Sequence, residues 1–434
     1  MNLQIDTHRA FQLFQVLRQL AILVIAIALA RSDISQSVIG NYEMLFFLLY
    51  AVSFFWISGC AQALLTRYPK LSPEDQPKLL FQLFVLSSIA SIGIVLLLFW
   101  QQAFFLELLI QRTQLDYFAL FLLYMLFSLP TYLVEHIYLL QQKRVALISY
   151  AILSGLVQIT AVLLPLILGY DFKWSFVALI GVGIIKYTWL LYIMVSMARW
   201  STEWRLLRHL LLVALPLILY ALLGGAAQIV DAYLVNWKYQ GDTQQFAIFR
   251  YGARELPFAL AIAVAFSSSW LSTLSKATTT HLHQFRARGQ QLYHILFPMA
   301  IAAAFASSYL FPWILGADFT FSYYIFNIYL LIIPSRLLFP HTLLIAQEEN
   351  RYILYTSIAE LCINVSISLL LIEKYGMLGI AVGTVVAYLF EKIVYAVIIY
   401  RRQGIAIQKY TALGWWTGYT IALVGSVVYG LFLK

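Results

Sequence analysis

Residues 79–100 read LLFQLFVLSSIASIGIVLLLFW and carry no charged side chain. In a helix that rises 1.5 Å per residue, about 20 apolar residues cross a hydrocarbon core roughly 30 Å thick. Comparable runs fill the 434-residue chain, which is 62% hydrophobic and 11% charged, whereas soluble domains carry about 25% charged residues. Because backbone inside a bilayer must be helical or paired, the sequence predicts an all-α, polytopic membrane protein.

Thirteen apolar runs predict the membrane spans, and the connections between them are too short to form a soluble domain. The predicted spans are residues 12–31, 41–65, 79–101, 117–141, 146–169, 174–198, 209–236, 245–271, 289–314, 321–346, 352–373, 376–400 and 412–433. Prolines inside these runs remove backbone hydrogen bonds and permit kinks, and they are Pro130, Pro216, Pro257, Pro298, Pro334 and Pro340. We therefore expect a bundle of about 12–13 transmembrane helices, several of them kinked.

The first run has some features of a cleaved signal peptide. Arg9 and Arg18 precede an apolar stretch, and Ala28-Leu29-Ala30 resembles a signal-peptidase site. The apolar stretch already begins near Phe11. We therefore expect a retained first span.

Lysines and arginines are distributed unevenly between alternate connections. One set of connections, together with the N-terminal tail, holds sixteen of them, and the other set holds six. Cytoplasmic loops carry an excess of Lys and Arg, so we expect a cytoplasmic N-terminus and, with thirteen spans, an outward C-terminus. The net charge of +9 is spread over separate loops, whereas nucleic-acid binding needs one basic surface. We therefore expect no nucleic-acid partner.

A weak internal repeat predicts two halves. QSVIGNYE at 36–43 follows the first span, and QQFAIFRYG at 244–252 follows the seventh. Chance recurrence in a chain with 29 tyrosines is the alternative explanation. Two six-span lobes of equal orientation imply a pseudo-twofold axis along the membrane normal. The predicted division is an N-terminal lobe at 1–200, a C-terminal lobe at 201–402 and an additional span at 403–434.

Sequence signatures of catalysis and metal binding are missing. Cys60 and Cys362 both lie in apolar runs, where thiols are ordinary packing residues. The chain has no GxSxG, phosphate-binding loop or HExxH motif. Glu135 and His136 form an acid-histidine pair at depth, but adjacent helical residues point about 100° apart. We therefore expect a protein that is not an enzyme and has no metal or cofactor.

Charged residues inside the spans are the candidate functional residues. A charge at the bilayer centre costs about 2.5–3.5 kcal/mol and usually faces a bundle interior or a wet cavity. Lys186 and Arg336 lie near the middle of their spans, too deep to reach an interface easily. Arg18 lies closer to the inner end, where its side chain either extends to the interface or points into a cavity. Arg250 and Arg254 share a helical face, and we predict that all five bind substrate.

Two embedded acids, Asp231 and Glu360, are candidates for coupling or for a structural role. Asp231 is expected at the depth of Arg250, so it either pairs with an arginine or lies in a cavity. Glu360 has Asn364 one turn later on the same face. It either binds a coupling cation or proton, or hydrogen-bonds a neighbouring helix.

Several short motifs occur in a defined order along residues 10–400. They are FQVLR at 14–18, GNY at 40–42, LLQQKR at 139–144, GD at 241–242, YGARELP at 251–257 and GMLGIA at 376–381. Each motif is loose. Their order across twelve spans resembles the polysaccharide-repeat-unit flippases (Wzx type) of the multidrug/oligosaccharidyl-lipid/polysaccharide exporter (MOP) superfamily.

That resemblance implies two six-helix lobes in a V-shaped bundle, with a central cationic cavity that opens to each side in turn. The implied cargo is an undecaprenyl-pyrophosphate-linked oligosaccharide in the bacterial cytoplasmic membrane, and the implied partners are membrane lipids and a glycan polymerase. Arg18, Arg250 and Arg254 match positions where the family tends to carry cavity cations. The family usually has twelve or fourteen spans, so thirteen departs from its pattern in the last span or in the side of the C-terminus.

Three other functions remain open from the sequence. A cation-coupled multidrug exporter of the same superfamily should prefer acids in its cavity, yet embedded acids and bases number six each. A membrane glycan polymerase or transferase would depend on Glu135 and His136. A lipid-linked peptidoglycan precursor is an alternative cargo for a flippase.

Overall fold

A computed structural model describes residues 7–200, 203–256, 259–274, 278–347 and 349–432, and Pro257 lies outside them. The described residues form helices joined by short turns, with no strand among them. The chain divides into two compact units, Met1–Gly225 (unit 1) and Ala226–Lys434 (unit 2). The lobe limits predicted at 200 and 402 stay predictions.

Unit 1 contains eight complete helices within the described residues. They are α1 (Thr7–Arg31), α2 (Gln36–Arg67), α3 (Asp75–Trp100), α4 (Gln102–Ile110), α5 (Phe118–Ser128), α6 (Tyr132–Leu140), α7 (Arg144–Ile167) and α8 (Lys173–Met197). Helix α9 (Trp204–Lys238) continues from unit 1 into unit 2. The helices that follow it are α10 (Thr243–Gly252), α11 (Ala259–Leu274), α12 (Thr279–Leu315), α13 (Ser322–Leu330), α14 (Ile333–Arg336), α15 (Pro340–Ala346), α16 (Asn350–Tyr375), α17 (Met377–Gln403) and α18 (Leu413–Phe432).

Ten helices of the described chain are long and apolar enough to cross a membrane. The number is eleven if the bent pair Ser322–Arg336 and Pro340–Ala346 counts as one span. The prediction of a multi-pass, all-α membrane protein is therefore confirmed. Helix α18 is not among the ten, and its first half, GWWTGYT at 414–420, is rich in small polar and aromatic residues.

The eighth predicted span, 245–271, is wrong as a single helix. The chain leaves the helical conformation after Gly252, residues 253–256 are not helical, and the described part of α11 begins at Ala259. Gly252 packs so closely that a Cβ atom there would collide with the Ser322 carbonyl and the Ile325 side chain. The interruption also precedes a proline in the sequence, and proline cannot donate the hydrogen bond that continues a helix.

The tenth predicted span, 321–346, is a bent helix rather than a straight one. The bend between α13–α14 and α15 is 45°. Pro334 and Pro340 lie in the first turns of α14 and α15, where a missing N–H costs least. Pro216 and Pro298 lie inside α9 and α12 without ending either helix.

Glycines allow close helix contacts in each unit. In unit 1, a Cβ atom at Gly59 of α2 would collide with Ile218 of α9. In unit 2, a Cβ atom at Gly383 of α17 would collide with the Ser368 hydroxyl of α16. Small residues at such contacts are the usual means of packing helices in membranes.

The order of helix packing recurs in the two units. In unit 1, α2 contacts α6 and α7 contacts α8, and in unit 2, α10 contacts α13 and α16 contacts α17. These helices occupy corresponding places in the two predicted sets of six spans. The division into two six-span lobes stays a prediction.

Candidate functional site

Unit 1 brings charged and amide side chains of α1, α6, α7 and α8 together. We call Gln15, Arg18, Glu135, Gln158 and Lys186 the unit-1 polar cluster. The Arg18 guanidinium of α1 donates to Gln15 Oε1 at 2.6 Å and lies 3.5 Å from Glu135 Oε1 of α6. The Arg18 side chain is 51% exposed, whereas the Glu135 side chain is 9% exposed. The cluster therefore presents a cation at its accessible side.

Lys186 adds a second cation to this cluster. Its ammonium on α8 donates to Gln158 Oε1 of α7 at 3.3 Å. It also lies within electrostatic reach of Glu135 and Arg18. Two cations and one carboxylate give the cluster a net charge of +1, which favours an anionic ligand.

Aromatic rings support the cluster from the apolar side. The Arg18 guanidinium lies 5.7 Å from the centre of the Phe14 ring, and Phe14 stacks on Tyr150. Tyr150 contacts Trp189, whose Nε1 donates to the Tyr138 hydroxyl at 2.8 Å. This chain of rings joins α1, α6, α7 and α8 and fixes the backbone positions of the cluster.

His136 follows Glu135 in α6 but is held away from the charged groups. Its Nδ1 lies 2.7 Å from the Tyr132 carbonyl one turn earlier, and its ring packs against Phe11 and Tyr132. The pair does not have the geometry of a carboxylate orienting an imidazole.

Arg250 lies in the last turn of α10 in unit 2, and Arg254 lies two residues beyond the end of that helix. Both are half-buried. Arg254 lies 4.9 Å above the Tyr251 ring, and its Nε donates to the Arg250 carbonyl at 3.4 Å. The two arginines are therefore neighbours, but the prediction that they share a helical face is wrong because α10 ends at Gly252.

Arg336 forms an ion pair in unit 2. Its Nε and Nη2 donate to the two carboxylate oxygens of Glu255 at 3.1 Å and 2.5 Å. The guanidinium also lies 4.5 Å from the centre of the Tyr388 ring. Its charge is therefore matched by Glu255, and substrate binding by Arg336 stays a prediction.

Asp231 lies at the centre of a buried polar network in unit 2. The residue is 4% exposed. Its Oδ2 accepts hydrogen bonds from the Thr384 hydroxyl at 2.6 Å and the Tyr329 hydroxyl at 2.9 Å. Two hydroxyls, and not an arginine, therefore hold this carboxylate. Its Oδ1 is buried and has no hydrogen-bond partner within the described part of the chain.

Two further oxygen-bearing side chains lie beside Asp231. Asn364 of α16 donates to the Thr384 hydroxyl at 3.2 Å, and Ser368 donates to Asn364 Oδ1 at 3.3 Å. Carboxylate and hydroxyl oxygens are hard ligands of the kind that alkali and alkaline-earth cations prefer, whereas the Asn364 amide turns its nitrogen toward the Thr384 hydroxyl. Across the residues that the structure describes, no group of three or more His, Cys, Asp or Glu residues could hold a metal ion.

Glu360 lies apart from this network but within electrostatic reach of Asp231, Arg336, Glu391 and Lys392. Lys392 is buried and pairs with Glu391 at 2.5 Å. The Tyr395 hydroxyl donates to the same carboxylate at 2.8 Å. The two side chains therefore neutralise each other inside unit 2.

The sequence analysis did not identify the neutral side chains of the unit-1 polar cluster or of the network around Asp231. Gln15 precedes Arg18 by three residues, and this helical spacing was the available signal. Gln158, Tyr329 and Thr384 carried no signal, because single polar residues in apolar runs are common. Glu135 was considered only as a catalytic acid.

No protein-family model and no curated protein sequence matches the chain. Solved structures do match. A structure described as the lipid II flippase MurJ in an inward closed conformation has a TM-score of 0.74 and 16% identity, covering 95% of this chain and 92% of its own. A MOP superfamily transporter from Pyrococcus furiosus has a TM-score of 0.63 and 13% identity, covering 96% and 97%.

A third similar structure is an outward-facing multidrug resistance MATE family transporter of the MOP superfamily, with a TM-score of 0.60, 14% identity and coverage of 97% and 98%. The chain has the fold of MOP-superfamily transporters. The sequence identities are low, so the MOP fold is what these similarities establish.

Proposed function

We propose that this chain is a flippase that moves an undecaprenyl-pyrophosphate-linked oligosaccharide from the cytoplasmic to the outer leaflet of a bacterial cytoplasmic membrane. The oligosaccharide would be a repeat unit for O-antigen, capsule or exopolysaccharide. The observation that carries the proposal is the unit-1 polar cluster, which has a net charge of +1 and an accessible arginine inside an apolar bundle. The MOP fold supports transport, and we propose no catalytic step.

The chemistry of the cluster fits a pyrophosphate headgroup. Arginine holds phosphate oxygens through charge-assisted, often bidentate hydrogen bonds. Arg18 presents its guanidinium at an exposed position, and Lys186 adds a point charge nearby. The polyprenyl tail can remain in the bilayer while the polar headgroup is bound.

Unit 2 contributes the neighbouring cations Arg250 and Arg254. Their half-buried positions at a helix end allow contact with an anion without full exposure to lipid. We propose that these two arginines bind substrate. Arg336 is a weaker candidate because Glu255 already matches its charge.

The similar structure named as a lipid II flippase supports a lipid-linked glycan as the class of cargo. A peptidoglycan precursor shares the polyprenyl pyrophosphate with a polysaccharide repeat unit and differs in the sugars. We propose that the cluster binds the pyrophosphate, which both molecules share. Selectivity between the two cargoes then depends on residues that contact the sugars.

The membrane potential should assist outward movement of this cargo. An inside-negative potential contributes roughly 2.3 kcal/mol per elementary charge per 100 mV. Collapsing the potential in loaded vesicles should therefore slow export, and an unchanged rate would count against a net outward movement of negative charge.

A cation-coupled exporter is the second candidate function, and Asp231 is the observation that favours it. Its buried Oδ1 has no hydrogen-bond partner among the described residues, and the hydroxyl oxygens of Thr384 and Tyr329 lie beside its Oδ2. A monovalent cation bound there would satisfy the carboxylate. Coupling of this kind is compatible with either a lipid-linked glycan or a drug as cargo.

Complementation tests the proposed function. Expression in a bacterial strain that lacks its repeat-unit flippase should restore surface polysaccharide, and expression in a strain depleted of its peptidoglycan-precursor flippase tests the alternative cargo. Arg18→Ala and Lys186→Ala should abolish whichever rescue is found. Arg288→Ala, which removes an exposed arginine of α12 outside the cluster, is the control and should retain it. Rescue by all three variants would contradict the role of the cluster.

A further inference from the structure

We propose that Glu135 competes with the substrate for Arg18. Its carboxylate pairs with the guanidinium when no headgroup is bound, and an anionic headgroup displaces it. This inference rests on the proposed function, and it assigns to Glu135 a role in substrate release.

The contrast between two arginine–carboxylate pairs carries the inference. Arg336 and Glu255 form two hydrogen bonds at 3.1 Å and 2.5 Å, and their side chains are only 16% and 18% exposed. Arg18 and Glu135 make one contact at 3.5 Å, and the arginine is 51% exposed. The second pair is loose and accessible, so exchanging its carboxylate for another anion costs little.

Arg18 is held in place by its own helix and not by Glu135. Gln15 accepts a hydrogen bond from Nη2 at 2.6 Å, and the Phe14 ring lies under the guanidinium. The contact with Glu135 uses the other terminal nitrogen, Nη1. The guanidinium therefore keeps its position when Nη1 changes partner, and it remains preorganised for an incoming phosphate oxygen.

The position of Glu135 makes it an obstacle to an anion. The residue is 7% exposed, and its carboxylate lies within electrostatic reach of both Arg18 and Lys186. A phosphate that binds both cations must therefore approach this negative charge. Glu135 weakens headgroup binding by repulsion and by occupying Arg18, and it recaptures Arg18 when the headgroup leaves.

The substitution Glu135→Gln tests the effect of the negative charge without changing the size of the side chain. Glutamine keeps the size of the side chain and an acceptor oxygen but removes the negative charge, so the net charge of the cluster rises from +1 to +2. Headgroup binding should tighten about tenfold, within the range of coupling free energies found between sites. Substrate release should slow, so transport should fall although affinity rises.

The test uses the full-length chain purified in detergent and farnesyl pyrophosphate as the probe, with farnesol as its uncharged counterpart. Affinity is measured by titration calorimetry for the wild type, Glu135→Gln and the double variant Arg18→Ala/Glu135→Gln. The matched control is Glu43→Gln, because Glu43 lies in the same unit and is also 7% exposed. Thermal unfolding of each variant confirms that it is folded.

The expected result is a dissociation constant for farnesyl pyrophosphate about tenfold lower in Glu135→Gln than in the wild type. Farnesol affinity and the Glu43→Gln control should not change, and the double variant should lose the gain. Unchanged or weaker binding by Glu135→Gln would overturn the inference while leaving the proposed function intact. Absence of pyrophosphate-dependent binding in both the wild type and Glu135→Gln would overturn the two together.

Discussion

Arg336 and Glu255 join two interrupted helices at their interruptions. Glu255 lies between α10 and α11, and Arg336 ends α14 immediately before the 45° bend that leads into α15. The two hydrogen bonds between them connect positions where helical hydrogen bonding is discontinuous. The Tyr388 ring of α17 covers the guanidinium at 4.5 Å, so the pair also ties the bend to a continuous helix.

Glu255→Gln should destabilise the protein, because it leaves the Arg336 charge inside unit 2 without a counter-charge. Breaking a buried pair by removing one partner costs about 3–5 kcal/mol. The midpoint of thermal unfolding in detergent measures the effect. Glu373→Gln is the control, since Glu373 pairs with Lys238 at 2.6 Å with its side chain 69% exposed, and exposed pairs contribute about 0–1 kcal/mol. Equal midpoints for the two variants would show that the Arg336 pair is not structural.

Asp231→Asn should remove a response to monovalent cations. If a cation binds the buried carboxylate, the wild type should unfold at a higher temperature in sodium chloride than in choline chloride. A ligand at 100 times its dissociation constant stabilises a protein by about 2.7 kcal/mol. The variant should show equal midpoints in the two salts. A sodium effect that persists in Asp231→Asn would place the cation elsewhere.

Gly383→Ala should weaken the contact between α16 and α17, because the added Cβ atom would collide with the Ser368 hydroxyl and approach its backbone nitrogen. Overpacking of this kind costs about 1–3 kcal/mol. Gly93→Ala in α3 is the control, since nothing lies within 4 Å of the added atom and alanine is the better helix former. Thermal unfolding should order the three proteins with Gly383→Ala lowest, and the reverse order would contradict the close packing.

The predicted orientation can be read from cysteine accessibility. The probes are Ser72→Cys and Thr113→Cys, each made in a variant whose Cys60 and Cys362 are replaced. Ser72 lies between α2 and α3, and Thr113 lies between α4 and α5. Both positions are exposed. A membrane-impermeant maleimide added to intact spheroplasts should label Thr113→Cys and leave Ser72→Cys unlabelled until the membrane is opened. The opposite pattern would place the N-terminus outside.

Most of the membrane helices could be predicted from the sequence because length and the absence of charge determine them. Residues 79–100, for example, lie within α3, which begins at Asp75 and ends at Trp100. The interruption between Gly252 and Ala259 was not predicted as a gap. It depends on the contact of Gly252 with Ser322 and Ile325, which lie at least 70 residues later in the chain. The apolar pattern of a sequence does not show such long-range contacts.

The charged members of the candidate site stand out in the sequence, whereas their partners do not. Arg18, Lys186 and Asp231 are recognisable because charge inside an apolar run is costly. Glu135 is 117 residues from Arg18, and Glu255 is 81 residues from Arg336. A single sequence does not show which distant helices pack together, so it could not distinguish the matched Arg336 from the accessible Arg18.

Flipping in reconstituted liposomes tests the central claim most directly. A fluorescent undecaprenyl-pyrophosphate-linked oligosaccharide is placed in both leaflets, and a lectin or quencher is added outside. Flipping exposes molecules of the inner leaflet to this reagent, so movement is measured as the decrease of the protected inner-leaflet signal. Liposomes containing the wild type should exchange the two pools faster than protein-free liposomes, and Arg18→Ala/Lys186→Ala should reduce the rate at least tenfold while Arg288→Ala does not. Exchange at the wild-type rate by the double variant would contradict the account.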